Sequence, residues 1–124
     1  MVLQRSARGT RVLLCSDLAA AGQSALLDRY EDLRADIVVS GIPARGEPLS
    51  DNFLERVQPR LVIIGAAYVP ANEQAKSELR ERLEHRGVPI IYTCDHGSVT
   101  LELRSRGWTA RTMSGLRIKG EITD

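Results

Sequence analysis

Apolar residues fall into four short continuous runs, most of them followed by a stretch with a different rhythm. The first is Val12-Leu13-Leu14-Cys15. Ser16-Asp17 breaks it, and from Gln23 to Leu33 the residues Leu26, Leu27, Tyr30 and Leu33 recur at helical spacing. The second is Ile37-Val38-Val39-Ser40, followed by a loop from Gly41 to Pro48 and a short helix with Phe53, Leu54 and Val57 on one face. Ser50 suits its N-cap, and Pro59 follows its end. The third, Leu61-Val62-Ile63-Ile64-Gly65, leads through a loop to Pro70 and then to the longest expected helix. There Ala75, Leu79 and Leu83 form an apolar stripe, Glu78 and Arg82 stand four apart, and Gly87 ends the helix. The fourth is Pro89-Ile90-Ile91-Tyr92-Thr93.

The rhythm then changes to period two. Ser98-Val99-Thr100-Leu101-Glu102-Leu103 alternates as a half-exposed strand does, and a last strand runs from Trp108 to Met113 with Gly107 in the turn. Continuous apolar runs separated by helices imply a mainly parallel sheet buried on both faces. The predicted fold is therefore α/β of the three-layer type: a mostly parallel sheet of about four strands with three helices, ending in an antiparallel hairpin. If every crossover advances in one direction, right-handedness puts every helix on one face, and the other face needs a partner. Residues 1–10 read as an N-terminal lead, 11–104 as the main unit, and 105–124 as a hairpin strand and tail.

With 124 residues, 43% apolar and 27% charged, the chain fits one ordinary globular domain. Its net charge of +1 selects neither nucleic acid nor membrane, so any such signal is local. No run approaches the roughly 18 apolar residues of a membrane span, so the segment is expected to be soluble, without membrane contact of its own. Cys15 and Cys94 each close an apolar run and read as free, small hydrophobes.

The local signal lies near the C-terminus. Arg104, Arg106, Arg111, Arg117 and Lys119 occur with no acidic residue from Arg104 to Lys119, and Trp108 stands among them. The ordinary use of such a row is a charged edge that deters sheet-to-sheet aggregation. Its functional use is contact with phosphate oxygens, which adds salt-dependent and sequence-blind affinity for DNA.

Catalytic and metal motifs are scarce by comparison. The loop Gly41-Ile42-Pro43-Ala44-Arg45-Gly46 follows a parallel strand, where open α/β sheets bind ligands, but lacks the lysine and hydroxyl of a Walker loop. Gly41 and Arg45 are thus candidates for meeting an anion, beside the plainer reading of a solvated loop. Asp17 is the best-placed carboxylate, although it also suits the approach to the first helix. His85 reads as a surface histidine near a helix end, and His96 as a turn residue. Cys94 and His96 lack an orienting third group.

The order of segments resembles the C-terminal half of the metallo-β-lactamase-fold domain at the end of ComEC-type DNA-uptake (competence) proteins. The likeness rests on Cys15-Ser16-Asp17-Leu18, Leu33-Arg34-Ala35-Asp36 before Ile37-Val38-Val39, Phe53 to Pro59, Leu61-Val62-Ile63-Ile64, and Thr93-Cys94-Asp95-His96-Gly97-Ser98-Val99-Thr100-Leu101. It covers about Arg11 to Leu103. The family's His-His-Gly-Ser loop is replaced here by Ile42-Pro43-Ala44-Arg45 after Gly41, and its later Gly-His-Pro has no counterpart between Gly65 and Glu78. Asp17 alone matches a metal-ligand position.

The resemblance implies one half of an αββα sandwich whose ancestral zinc or manganese site has degenerated, since one carboxylate cannot hold two metals. It also implies an inner sheet face, built from Leu13, Val38, Ile63 and Ile91 or their alternates, that the missing N-terminal half or a second copy would cover. The first expectation is a non-catalytic interaction or DNA-handling module, without a cofactor, in a bacterial inner-membrane uptake protein. Two alternatives stand beside it. One is a metal-dependent hydrolase or nuclease completed by residues outside this chain, with Asp17 as a ligand. The other is a free-standing α/β domain that binds a small ligand near Gly41 and Asp17.

Overall fold

The four continuous apolar runs become neighbours in one sheet. The computed structural model describes residues 3–7, 9–15, 20–29, 33–42, 49–66 and 77–121, with the backbone alone for 3–7, 20, 21 and 26. In chain order the elements are β1 (Leu3–Ala7), β2 (Thr10–Leu14), α1 (Ala20–Arg29), β3 (Ile37–Gly41), α2 (Asp51–Val57), β4 (Leu61–Gly65), α3 (Ser77–Glu84), β5 (Ile90–Tyr92), α4 (Thr93–His96), β6 (Val99–Arg104), β7 (Gly107–Thr112) and β8 (Arg117–Glu121). Strands β2, β3, β4 and β5 lie side by side and parallel, and β1 adds an antiparallel edge beside β2. Strands β6, β7 and β8 form a separate antiparallel meander. The α/β class, the four-stranded parallel sheet and the antiparallel ending are as predicted.

Because the parallel strands follow one another in sequence order, every crossover advances the same way, and the helices collect on one face. There Leu13, Val38, Val62 and Ile64 pack against Phe53, Leu54 and Val57 of α2 and Leu79 and Leu83 of α3. Burying each such side chain contributes about 1.5–3 kcal/mol. Ser50 caps α2 by accepting a hydrogen bond from the Phe53 backbone N–H at 3.3 Å. The Ser50 N–H in turn donates to the buried Gln23 side chain of α1 at 2.6 Å. Arg82 of α3 reaches across to α2, donating to the Leu49 carbonyl at 2.6 Å and pairing with Asp51 at 3.2 Å. Gly87, at φ +72°, turns the chain out of α3 where the sequence stops it.

The opposite face of the parallel sheet is not left open. Val12, Ile37, Leu61, Ile63 and Ile91 pack against Trp108 and Ala110 of β7, with Val99, Leu101, Leu103, Leu116 and Ile118 around them. The chain thus forms three layers: helices, parallel sheet, antiparallel sheet. The expected uncovered inner face is corrected by this second core, which also removes the reason for seating a second copy there. The four residues assigned to that face divide in two, because register puts Leu13 and Val38 on the helix side and Ile63 and Ile91 on the sheet side.

Two strands lie where the sequence suggested none. The supposed lead at residues 1–10 contains β1, and the supposed tail contains β8. The division at residue 104 falls in the two-residue turn between β6 and β7, inside one sheet. The helix expected from Gln23 to Leu33 is described as far as Arg29, residues 30–32 lie outside the described residues, and Leu33 is buried in the approach to β3. Ala75 lies outside the described residues. Both cysteines are free. Burial pushes the Cys15 thiol up to about 12. Among the described residues no helix is long and apolar enough to cross a membrane.

Candidate nucleic-acid interface

Alternation in a strand sends successive side chains to opposite faces, and the meander applies this rule three times over. Val99, Leu101 and Leu103 of β6, Trp108 and Ala110 of β7, and Ile118 of β8 turn toward the parallel sheet. The intervening positions form the outer face, and register arranges them in three rows. Thr100, Arg111 and Arg117 make one row, Glu102, Thr109 and Lys119 the next, and Arg104, Gly107 and Glu121 the third. Adjacent strands in a sheet lie about 4.8 Å apart and alternate residues about 6.8 Å apart, so each row has near neighbours.

Four of the five sequence-predicted cations, Arg104, Arg111, Arg117 and Lys119, therefore share this face, and all four are exposed. Together with Glu102 and Thr109 they line a shallow recess of about 200 Å³. The fifth, Arg106, sits in the turn between β6 and β7 with a left-handed φ of +64°, off the sheet face. Trp108, which stands among these cations in the sequence, does not share their face. It alternates against the cations, is 3% exposed, and belongs to the core beneath them.

Glu102 is the carboxylate within the recess. It accepts a hydrogen bond from the Arg104 guanidinium at 3.1 Å and lies 3.8 Å from that of Arg111. The Arg104 hydrogen bond and charge, with Arg111 and Arg117 behind them, hold this carboxyl below its ordinary range. Among the described residues Arg117 and Lys119 make no ion pair. The face thus carries more positive than negative charge and offers hydrogen-bond donors of the kind that meet phosphate oxygens.

The carboxyl ends of the parallel strands offer less. Gly41 pairs with Gly65 in register, and Ile42 and Ala66 follow them. Asp17 and Arg45 lie outside the described residues. The Thr93 hydroxyl bridges the Ala66 N–H and carbonyl, each at 3.1 Å. Arg80 stacks over the Tyr92 ring at 4.1 Å, pairs with Asp95 at 3.0 Å and donates to the Cys94 sulfur at 3.5 Å. Among the described residues no three His, Cys, Asp or Glu side chains gather to hold a metal ion. Glycine, isoleucine and alanine supply no side-chain donor where a zinc or manganese site would need histidine, so the described residues here do not fit that group.

His85 follows the last residue of α3, with its N–H bonded to the Glu81 carbonyl at 3.1 Å. His96 ends α4. Its Nδ1 lies 2.8 Å from the Ser114 hydroxyl, which lies 2.9 Å from that of Thr112. This relay links α4 to the turn after β7. Sequence reasoning missed it because the partners are 18 positions apart with no motif joining them. Its backbone N–H groups are already committed, Ser114 to the His96 carbonyl and Gly115 to the Thr112 carbonyl, which leaves neither for an oxyanion.

No protein-family model matches the chain. Among curated proteins it is similar to ComE operon protein 3 of Bacillus subtilis (strain 168), with 19% identity over 106 residues. The match covers 86% of this chain and 14% of that protein, so the chain spans about one-seventh of the relative's length.

Proposed function

We propose that this chain is a non-catalytic, DNA-handling domain of a ComEC-like competence protein, and that the outer face of β6–β8 meets the DNA phosphate backbone. The similarity to ComE operon protein 3 supports a competence or DNA-uptake context. Within that context the domain is a degenerate relative of the metallo-β-lactamase fold, in line with the segment order and with strand ends that carry Gly41-Ile42 and Gly65-Ala66 instead of histidines. Its place in a membrane-bound uptake protein belongs to the same reading.

The observation that carries the proposal is the placing of Arg104, Arg111, Arg117 and Lys119 on one exposed face by strand register. Contacts of this kind go to phosphate, so binding is sequence-blind and weakens with salt. The core position of Trp108 leaves no aromatic ring on this face for stacking bases among the described residues. Backbone contact rather than base recognition follows.

The test is fluorescence anisotropy of a labelled random-sequence duplex at several salt concentrations. The variant combines Arg111→Ala, Arg117→Ala and Lys119→Ala. Each lost phosphate contact removes about 0.9 from the slope of log affinity against log salt, so the triple variant flattens it by roughly 2–3. Unchanged affinity and slope would overturn the proposal.

A further inference from the structure

The recess between the four cations already holds an anion of the protein's own. The Glu102 carboxylate lies 3.1 Å from Arg104 and 3.8 Å from Arg111, and its row continues through Thr109 to Lys119. Its side chain is partly exposed, like those of Arg104 and Arg111 beside it, and all three line the recess. A phosphate oxygen that approaches these arginines meets donors already engaged and a negative charge beside them.

We propose that Glu102 acts as a built-in competitor, standing in for phosphate on the outer face of β6–β8 and holding its affinity for polyanions below what the cations alone would give. The inference rests on the proposed DNA contact of the same face. Its geometry follows from register: Glu102 opposes Thr109 across β6 and β7, diagonal to Arg111 and two residues from Arg104 on its own strand. A carboxylate there reaches both guanidinium groups, whereas Glu121, at the end of the third row, has no ion pair among the described residues. The competition is partial. An arginine has five N–H donors, so Glu102 and a phosphate can share one, and exposed ion pairs are weak.

The experiment compares the wild-type chain, Glu102→Gln and Glu121→Gln by anisotropy with the same labelled duplex. Both variants remove one negative charge from the same face, but only the first releases Arg104 and Arg111. Glu102→Gln should bind roughly two- to fivefold tighter, the range an exposed pair supports, with a steeper salt dependence. Glu121→Gln should tighten binding less. Equal gains in the two variants would mean that net charge alone matters and would overturn the competitor role. Weaker binding by Glu102→Gln would overturn it too, since Glu102 would then be positioning the guanidinium groups. If wild-type binding is lost in the triple alanine variant yet unchanged in Glu102→Gln, the interface stands and only the competitor falls. Absence of binding by all of these proteins would sink both.

Discussion

The parallel and antiparallel sheets lie face to face, yet they divide their surfaces differently. The parallel sheet is apolar on both sides, with Leu13, Val38 and Val62 toward the helices and Val12, Ile37 and Ile63 toward the second sheet. The antiparallel sheet is apolar on one side only, and its other side carries Arg104, Arg111, Arg117, Lys119 and Glu102 in water. A sheet covered on both faces can offer chemistry only at its strand ends, where this chain has Gly41 and Gly65. A sheet covered on one face offers the whole of the other. Side chains that hold the fold and the exposed cations proposed to meet DNA are thereby separated by a single step along each strand.

That separation can be broken from the dry side. Trp108 is the largest side chain that the meander contributes to the second core, and it packs beside Ile37, Leu61, Ile63 and Ile91. Trp108→Ala should cost about 3–5 kcal/mol, a large share of the stability of a small domain, and should show as a lower urea midpoint. The indole N–H is buried and has no hydrogen-bond partner among the described residues, so Trp108→Phe should cost clearly less. Equal costs for the two would mean that the ring does not carry the packing.

A smaller effect should come from directly opposite. Gly120 of β8 pairs with Trp108 across the strands, and a Cβ built there would stand 2.2 Å from the Trp108 ring. The glycine is what lets the indole lie flat over β8. Gly120→Ala should therefore cost about 1–3 kcal/mol through overpacking. Gly120→Ala placed on Trp108→Ala should cost much less, because the clash partner is gone. Additive costs in this double-mutant cycle would refute the contact.

How far the sequence displayed this arrangement follows from where each residue's partner lies. Continuous runs such as Leu61-Val62-Ile63-Ile64 declare a doubly buried strand by themselves, and their order fixes the helices to one face. Ser50 declared its cap in the same local way. Strand β1, Leu-Gln-Arg-Ser-Ala, and strand β8, Arg-Ile-Lys-Gly-Glu, have too few apolar residues to show a period, and both exist through pairing with a stronger neighbour. The destination of the meander was equally hidden, since alternation shows that Val99, Leu101 and Leu103 share a face but not what covers it. The cations were visible as a cluster, and their distribution was not. The turn at Ser105-Arg106 takes Arg106 off the face, and the register of β8 brings Arg117 beside Arg111.

The wet side gives the smallest effect on the fold and the sharpest contrast. Arg117 is exposed, makes no ion pair among the described residues, and lies beside Arg111 in register. Nothing in the dry core touches its charge, so Arg117→Ala should change stability by no more than about 0.5 kcal/mol in a urea melt. Removing one of two adjacent like charges relieves repulsion, which sets the sign toward a slight gain. The same substitution should lower the salt slope of duplex binding by about 1. A residue that leaves the fold intact while altering the salt dependence belongs to the ligand-facing side alone. If Arg117→Ala instead destabilised the protein by as much as Gly120→Ala, the two faces of the meander would share one energetic role, and the separation drawn between them would fail.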